Sequence, residues 1–390
     1  MTPEISTEPN SSAGLFVGLS TLDLIQHVGD IPGPDAKATA TWQELCGGGP
    51  ALNAAVVFAA LGGRATLLTR LGTHPIADLV RADLAACGVR VIDVAQEDYT
   101  LAVSAIAVDA GRGTRQIVST DAGAVTAPLD RFDDTLTAVV DAADVVLLDG
   151  HHPDLAETTL RTLDAMGALG SLGPPRPAGA AGAAGAAGAA GAPTRSTPVV
   201  LDAGRWKPAM AQILQGCTDV ICSAAFRLGG PERADLVGDD LLAELVRRGA
   251  RLAAISDGSN PLRWQTDSSP VRALPIASIT PATPLESQDG NPADARLIAD
   301  TLGAGDFLHG AYAWARAGRP ARDVDDTADT ARDEAFFSHC LSFATTVASS
   351  SCAHRGTRSW LTELGTVTDG IARRRPEPRD LPRPPQEPAS

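Results

Sequence analysis

The stretch DTLGAGDFLHGAYAWA, residues 300 to 315, sets two acids around a run of small residues and then continues as an apolar pattern at helical spacing. Gly-Ala-Gly fills a core poorly. It does leave backbone amides open to a close-approaching group, and the helix that follows directs its positive end at the same place. A phosphate is the natural guest, because consecutive main-chain N–H groups favour an anion. A carboxylate beside that guest would repel it. Asp306 therefore makes sense as a base that accepts the proton of an attacking hydroxyl, while the amides of Gly303, Ala304 and Gly305 hold the developing charge. An aspartate after a glycine turn is also an ordinary helix cap, and spacing alone does not separate the two.

A second stretch, CGGGPALNAAVVFAALGG (residues 46–63), puts three glycines before an Ala-rich helix. The G-x-G-x-x-G spacing of a dinucleotide loop is absent, so a turn is as good an explanation as a site. Asn53 lies one turn into that helix, where its amide can bond sugar hydroxyls, cap the backbone or face solvent. In GLSTLDLI, Asp23 follows an apolar strand at the end where open α/β sheets bind ligands, although a surface carboxylate would look the same. His151 and His152, in LLDGHHP, follow another strand end.

Together the two glycine stretches resemble the paired signatures of the ribokinase/PfkB carbohydrate kinase family, in that family's order and about 250 residues apart. The similarity spans residues 14–365, apart from a Gly/Ala repeat and the segment 280–296. It implies a three-layer α/β/α fold with a mostly parallel central sheet and a small β lid. It also implies ATP-dependent, Mg²⁺-assisted phosphorylation of a primary hydroxyl on a sugar or sugar-like molecule. Asp306 matches the family's base, and Gly303, Ala304 and Gly305 its anion hole. Thr301 falls near the phosphates, and Asp23, Gly48, Gly49 and Asn53 at positions that bind substrate hydroxyls. PGPDAKATA and GTRQIV resemble the ketohexokinase-like branch, which nominates Asp35 and Arg115 as lid residues near the sugar. ISDGSNPLRW resembles a nucleotide-side loop, with Gly258 bordering the ATP phosphates. Where the family often carries Asn-x-x-Glu, this chain reads VICSAAF, placing Ser223 and Phe226 there, and Pro50 stands after the first signature's glycines. The missing pair keeps a sugar- or nucleotide-binding sensor of the same fold as an alternative to an active kinase.

Positioning these residues needs a frame. Apolar runs at 15–20, 65–72, 144–150, 198–204, 218–223 and 251–258 alternate with helical patterns at 51–63, 75–88 and 154–167. That rhythm predicts a mostly parallel sheet covered on both faces. Hairpin-like stretches at 24–46 and 99–120 interrupt it and suit a lid, which by family resemblance pairs two subunits as a homodimer. One domain is expected over 13–370, between a polar lead at 1–12 and a Pro/Arg tail at 371–390. A Gly/Ala-rich insertion at 169–197 and a polar insertion at 280–296 interrupt that domain.

The net charge of −15 disfavours a nucleic-acid partner. No apolar run reaches the roughly 18 residues of a membrane span, and the lead lacks a secretory pattern, so a cytoplasmic protein is expected. The six cysteines form no CxxC, which suits reduced, buried thiols rather than a disulfide frame or zinc site.

Overall fold

The computed structural model describes residues 12–109, 114–121, 128–169, 196–229, 235–276, 300–317 and 330–362. The expectations for the lead up to residue 11, the Gly/Ala repeat, the 280–296 insertion and the 371–390 tail fall outside the described residues. The strands are β1 (Ala13–Val17), β2 (Thr21–Val28), β3 (Trp42–Gly48), β4 (Arg64–Thr69), β5 (Arg90–Asp93), β6 (Ala102–Asp109) and β7 (Arg115–Ser119). They continue with β8 (Val145–Leu148), β9 (Val199–Ala203), β10 (Asp219–Ser223), β11 (Leu252–Asp257), β12 (Asn260–Thr266) and β13 (Arg272–Leu274). The helices are α1 (Pro50–Ala60), α2 (Pro75–Ala86), α3 (Asp134–Asp141), α4 (Pro153–Ala165), α5 (Met210–Ile213), α6 (Gly238–Arg247), α7 (Ala304–Arg316) and α8 (Thr330–Ser351).

Nine strands form one sheet in the order β13-β12-β11-β10-β9-β8-β1-β4-β5. Every pairing from β5 across to β11 is parallel, and the two pairings at the edge, β11–β12 and β12–β13, are antiparallel. Strands such as β8, VVLL, are apolar throughout because both faces are covered. Val145 and Leu147 pack in one hydrophobic layer, with α1, α2, α7 and α8. Val146 and Leu148 pack in the other, with α3 to α6. The result is the expected three-layer α/β/α arrangement.

A separate four-stranded sheet, β3-β2-β6-β7, forms the lid. β2 pairs antiparallel with β3 and parallel with β6, and β6 pairs antiparallel with β7. Residues opposite one another share a face, so Asp23, Ser104 and Ser119 look one way, and Leu24, Leu45, Ala105 and Val118 the other. Among the described residues, no helix is long and apolar enough to cross a membrane. All six cysteines are free. Burial pushes Cys46 up to about 12 and Cys352 up to about 11, so these thiols stay protonated and inert.

Candidate active site

The C-terminal ends of β1, β8 and β9, the N-termini of α1 and α7, and the inner face of the lid enclose a cavity of about 860 Å³. Asp306 stands on its floor in the first turn of α7. Gly303 caps that helix at φ 75°, a left-handed conformation that glycine adopts without strain. A Cβ built on Gly305 would meet open space, so the backbone there is accessible to a ligand rather than needed for packing. Among the described residues, the amides of Gly303 and Gly305 have no recorded acceptor. The Ala304 amide is already turned inward and donates to Thr301 O at 3.3 Å, so the predicted three-amide cradle has two open members.

The loop before α7 is tied down from three sides. Asp300 accepts the Leu302 amide at 2.8 Å and the Gly356 amide at 3.2 Å, and meets His27 Nε2, on β2, at 3.1 Å. From the lid, Arg115 Nη1 donates to Thr301 Oγ1 at 3.1 Å, joining β7 to the loop before α7.

α1 is apolar all round because it lies between the sheet and α7. A Cβ on Gly310 would sit 2.4 Å from Ala54 O, so only glycine lets the two helices approach this closely. That approach brings Asn53 Nδ2 to Asp306 Oδ2 at 2.9 Å. The opposite atom of the same amide, Oδ1, accepts from Arg358 Nη1 at 3.2 Å. Arg358 can only donate, so Asn53 must turn its NH₂ toward Asp306. Arg358 also donates to Gly47 O at 2.7 Å and to Asp83, whose carboxylate accepts the Gly47 amide at 2.9 Å.

Asp23, on β2, accepts the Thr21 hydroxyl at 2.6 Å and lines the cavity. Gly48 is required beside it: a Cβ there would lie 2.0 Å from Asp23 Oδ2. Gly49, at φ 100°, would bring a Cβ to 2.4 Å from Leu19 O. Burial pushes the Asp23 carboxyl above its usual range. For Asp306, burial and then the neighbouring Asp202 carboxylate push it up to about 7, against the donor of Asn53. A carboxyl poised there takes and releases protons near neutral pH.

The predicted site residues divide accordingly. Asp306, Gly303, Asn53, Asp23, Gly49 and Arg115 line one cavity together with Pro50 and His151. Gly48, Gly305 and Thr301 support it from behind or beside. Asp35 stands apart, on an exposed turn at φ 59° that does not line the cavity. Ser223, at the end of β10, donates to Gly204 O at 2.7 Å and borders a second cavity of about 520 Å³ beside α6. Gly258 makes the β11–β12 turn at φ 54°. Of the two histidines, His151 reaches the cavity, while His152 is buried beneath it and burial holds its pKa down at about 4.

Sequence reasoning passed over several residues that matter. Asp149, at the end of β8, accepts the amides of Leu19 at 2.8 Å, Ala51 at 3.2 Å and His151 at 2.9 Å, and so fixes three loops around the cavity. The signal was LLDGHHP, where the two histidines drew attention from the acid before them. Arg358, Asp202 and His309 left no local signal.

Residues 15–172 match the model of the pfkB family carbohydrate kinase. The chain carries a match to the pfkB family carbohydrate kinase domain over that part of its length. The matched region holds Asp23, Gly48, Gly49, Asn53 and Arg115, whereas the Asp306 helix lies beyond it and reaches the same cavity through the fold. The fold is shared with ribokinase from Giardia lamblia (17% identity, TM-score 0.66, covering 93% of this chain and 100% of that one). It is shared as well with fructokinase with bound ATP from Xylella fastidiosa (18%, TM-score 0.61, 92% and 99%). Ribokinase from Arabidopsis thaliana, complexed with ribose and ATP, is a third such structure (17%, TM-score 0.58, 91% and 98%). Among curated proteins none matches the sequence.

Proposed function

We propose that this chain transfers the γ-phosphoryl group of ATP to a primary hydroxyl of a sugar or sugar-like small molecule. The observation that carries the reading is Asp306: a carboxyl pushed up to about 7, on the floor of a cavity, beside the open amides of Gly303 and Gly305. The alcohol would bind against Asp23 and the lid serines Ser104 and Ser119, all on the lid's inner face. Asp306 Oδ takes the hydroxyl proton as the oxygen attacks the phosphorus in line, and the O–P bond to the β-phosphate breaks. The two amides and the α7 dipole stabilise charge on the equatorial oxygens. Arg115, bound to Thr301 beside that loop, is placed to neutralise it further. It is the single lid residue supporting the ketohexokinase-like reading, since Asp35 stands away from the cavity.

Mg²⁺ fits this scheme as a companion of the nucleotide. Among the described residues no cluster of His, Cys, Asp and Glu could hold a metal, and the Ser223 hydroxyl is engaged by Gly204. The ion supplies charge neutralisation on the phosphates. A homodimer is supported by the lid's outer face, where Leu45, Val103 and Val118 are 53%, 42% and 67% exposed. A monomer in light scattering at micromolar concentration would remove it.

The experiment is ADP release across a panel of sugars and nucleosides, with and without Mg²⁺. Activity on one class fixes the substrate. Ligand-induced stabilisation with no ADP formed at any metal concentration would sink the kinase and leave a binding protein.

A further inference from the structure

One turn beyond Asp306, His309 is 4% exposed and surrounded by acceptors. Its Nδ1 lies 2.7 Å from Gly305 O and 3.2 Å from Asp202 Oδ2, and its Nε2 lies 3.1 Å from Ile221 O. Carbonyl oxygens only accept, so each ring nitrogen must carry a hydrogen. A neutral ring with its hydrogen on Nδ1 would set the Nε2 lone pair against the Ile221 oxygen at 3.1 Å. The other neutral form carries its hydrogen on Nε2 and faces a protonated Asp202. That would set the Nδ1 lone pair against the Gly305 oxygen at 2.7 Å, acceptor against acceptor. The acceptors on both sides of the ring therefore favour an imidazolium, with Asp202 at the end of β9 as its counter-ion.

Resting on the kinase reading above, we propose that His309 is a positioning residue for Asp306. As a buried cation between two carboxylates it offsets Asp202, keeps Asp306 able to ionise, and holds the Gly305 carbonyl away from the transferring group. The other groups that face this centre do not substitute for it. Asp306 meets the neutral donor Asn53 from α1 and the acid Asp23 from β2. Asp202 meets Asp149 and His151 from the β8 end and Lys207 after β9. Without His309, Asp202 would act on Asp306 unopposed; without Asp202, the imidazolium would favour the ionised base more strongly.

The test compares the pH dependence of kcat for the unmodified kinase, His309→Gln and Asp202→Asn on the best substrate of the panel. The acid limb should move upward by about one unit or more for His309→Gln and downward for Asp202→Asn. A merely structural role would lower kcat by the same factor at every pH and leave the limb in place, which would overturn the proposal. Nitrogen NMR of the His309 ring in the unmodified protein decides independently of any variant's folding. Both nitrogens protonated at pH 7 supports the pair, and a neutral tautomer at pH 7 refutes it. If no substrate is turned over, the kinase reading fails and the ring measurement still judges the ion pair.

Discussion

The two ends of α7 both bury charge, and they use it in opposite ways. At the C-terminal end Arg316 Nε donates to Asp219 Oδ2 at 2.8 Å, and the Tyr312 hydroxyl donates to the same oxygen at 3.1 Å. The guanidinium also lies 5.8 and 5.7 Å from the ring centroids of Phe336 and Phe337. Burial works against that charge and the carboxylate more than offsets it, so Arg316 holds its proton more tightly than an ordinary arginine. At the N-terminal end the helix dipole should favour an ionised acid. Yet burial and neighbouring carboxylates push Asp306 up to about 7, and its direct donor, Asn53, is neutral. One end is matched and closed, and the other is short of positive charge and opens into a cavity. Charge that a fold matches one to one in a closed site is architecture; charge left short of a counter-ion beside a cavity is available for reaction.

The contrast breaks most visibly at Asp306. Asp306→Asn should cost turnover about 10²–10⁴-fold while nucleotide still stabilises the protein against heat. It should also raise the melting temperature at pH 8. Between its ordinary value of 3.8 and about 7, the folded chain holds a proton that the unfolded chain has released. Stability therefore falls as pH rises through that window, and above it the fold carries an ionised buried carboxylate. The gain should shrink toward pH 4. A variant melting lower than the parent at pH 8 would deny that the acid is held at a cost to the fold.

At the other end the effect should be on the fold alone. Arg316→Ala leaves Asp219 buried without its cation, which should cost about 3–5 kcal/mol in denaturant unfolding. Well below the melting temperature, kcat and KM should stay unchanged. A kcat loss without a stability loss would erase the distinction between the two ends.

The sequence made one side of this contrast visible and hid the other. Glycines at 303 and 305 before an acid, and Asn53 after three glycines, are local patterns set by backbone conformation and helix dipole, so they survive in a linear string. The parallel sheet was equally legible, since β8 and β9 are apolar runs with turns at their ends, and the two alternating runs SAIAVD and TRQIVS announced the β6–β7 pairing of the lid. The charge pairing was not. Arg358 meets Asn53 across 305 residues, and Tyr312 meets Asp219 across 93. Such contacts have no period and no cap, and an arginine near the chain end reads as solvated until the fold closes over it. The lid nomination of Asp35 shows the converse: a motif resemblance carried a residue that an exposed left-handed turn leaves outside the cavity lining.

The finest probe of the contrast is the spacing that links Asp306 to its neutral donor, and Gly310 sets that spacing. In an exposed helix Gly→Ala gains about 1 kcal/mol from propensity. Here the added Cβ would lie 2.4 Å from Ala54 O, 2.8 Å from Ala54 Cα and 2.9 Å from Val57 Cβ. Two of these are backbone atoms that no rotamer change can move, so α1 and α7 must separate. Overpacking of this kind typically costs about 1–3 kcal/mol, which would reverse the sign expected from propensity. Asn53 is one residue from the point of contact, so its 2.9 Å bond to Asp306 should lengthen with the helices. Losing that donor favours the protonated base, and the acid limb of kcat should move to higher pH while the Arg316 end keeps its pairing. A Gly310→Ala protein that is more stable and titrates as the parent does would mean that Asn53 and Asp306 are not held by the packing of these two helices.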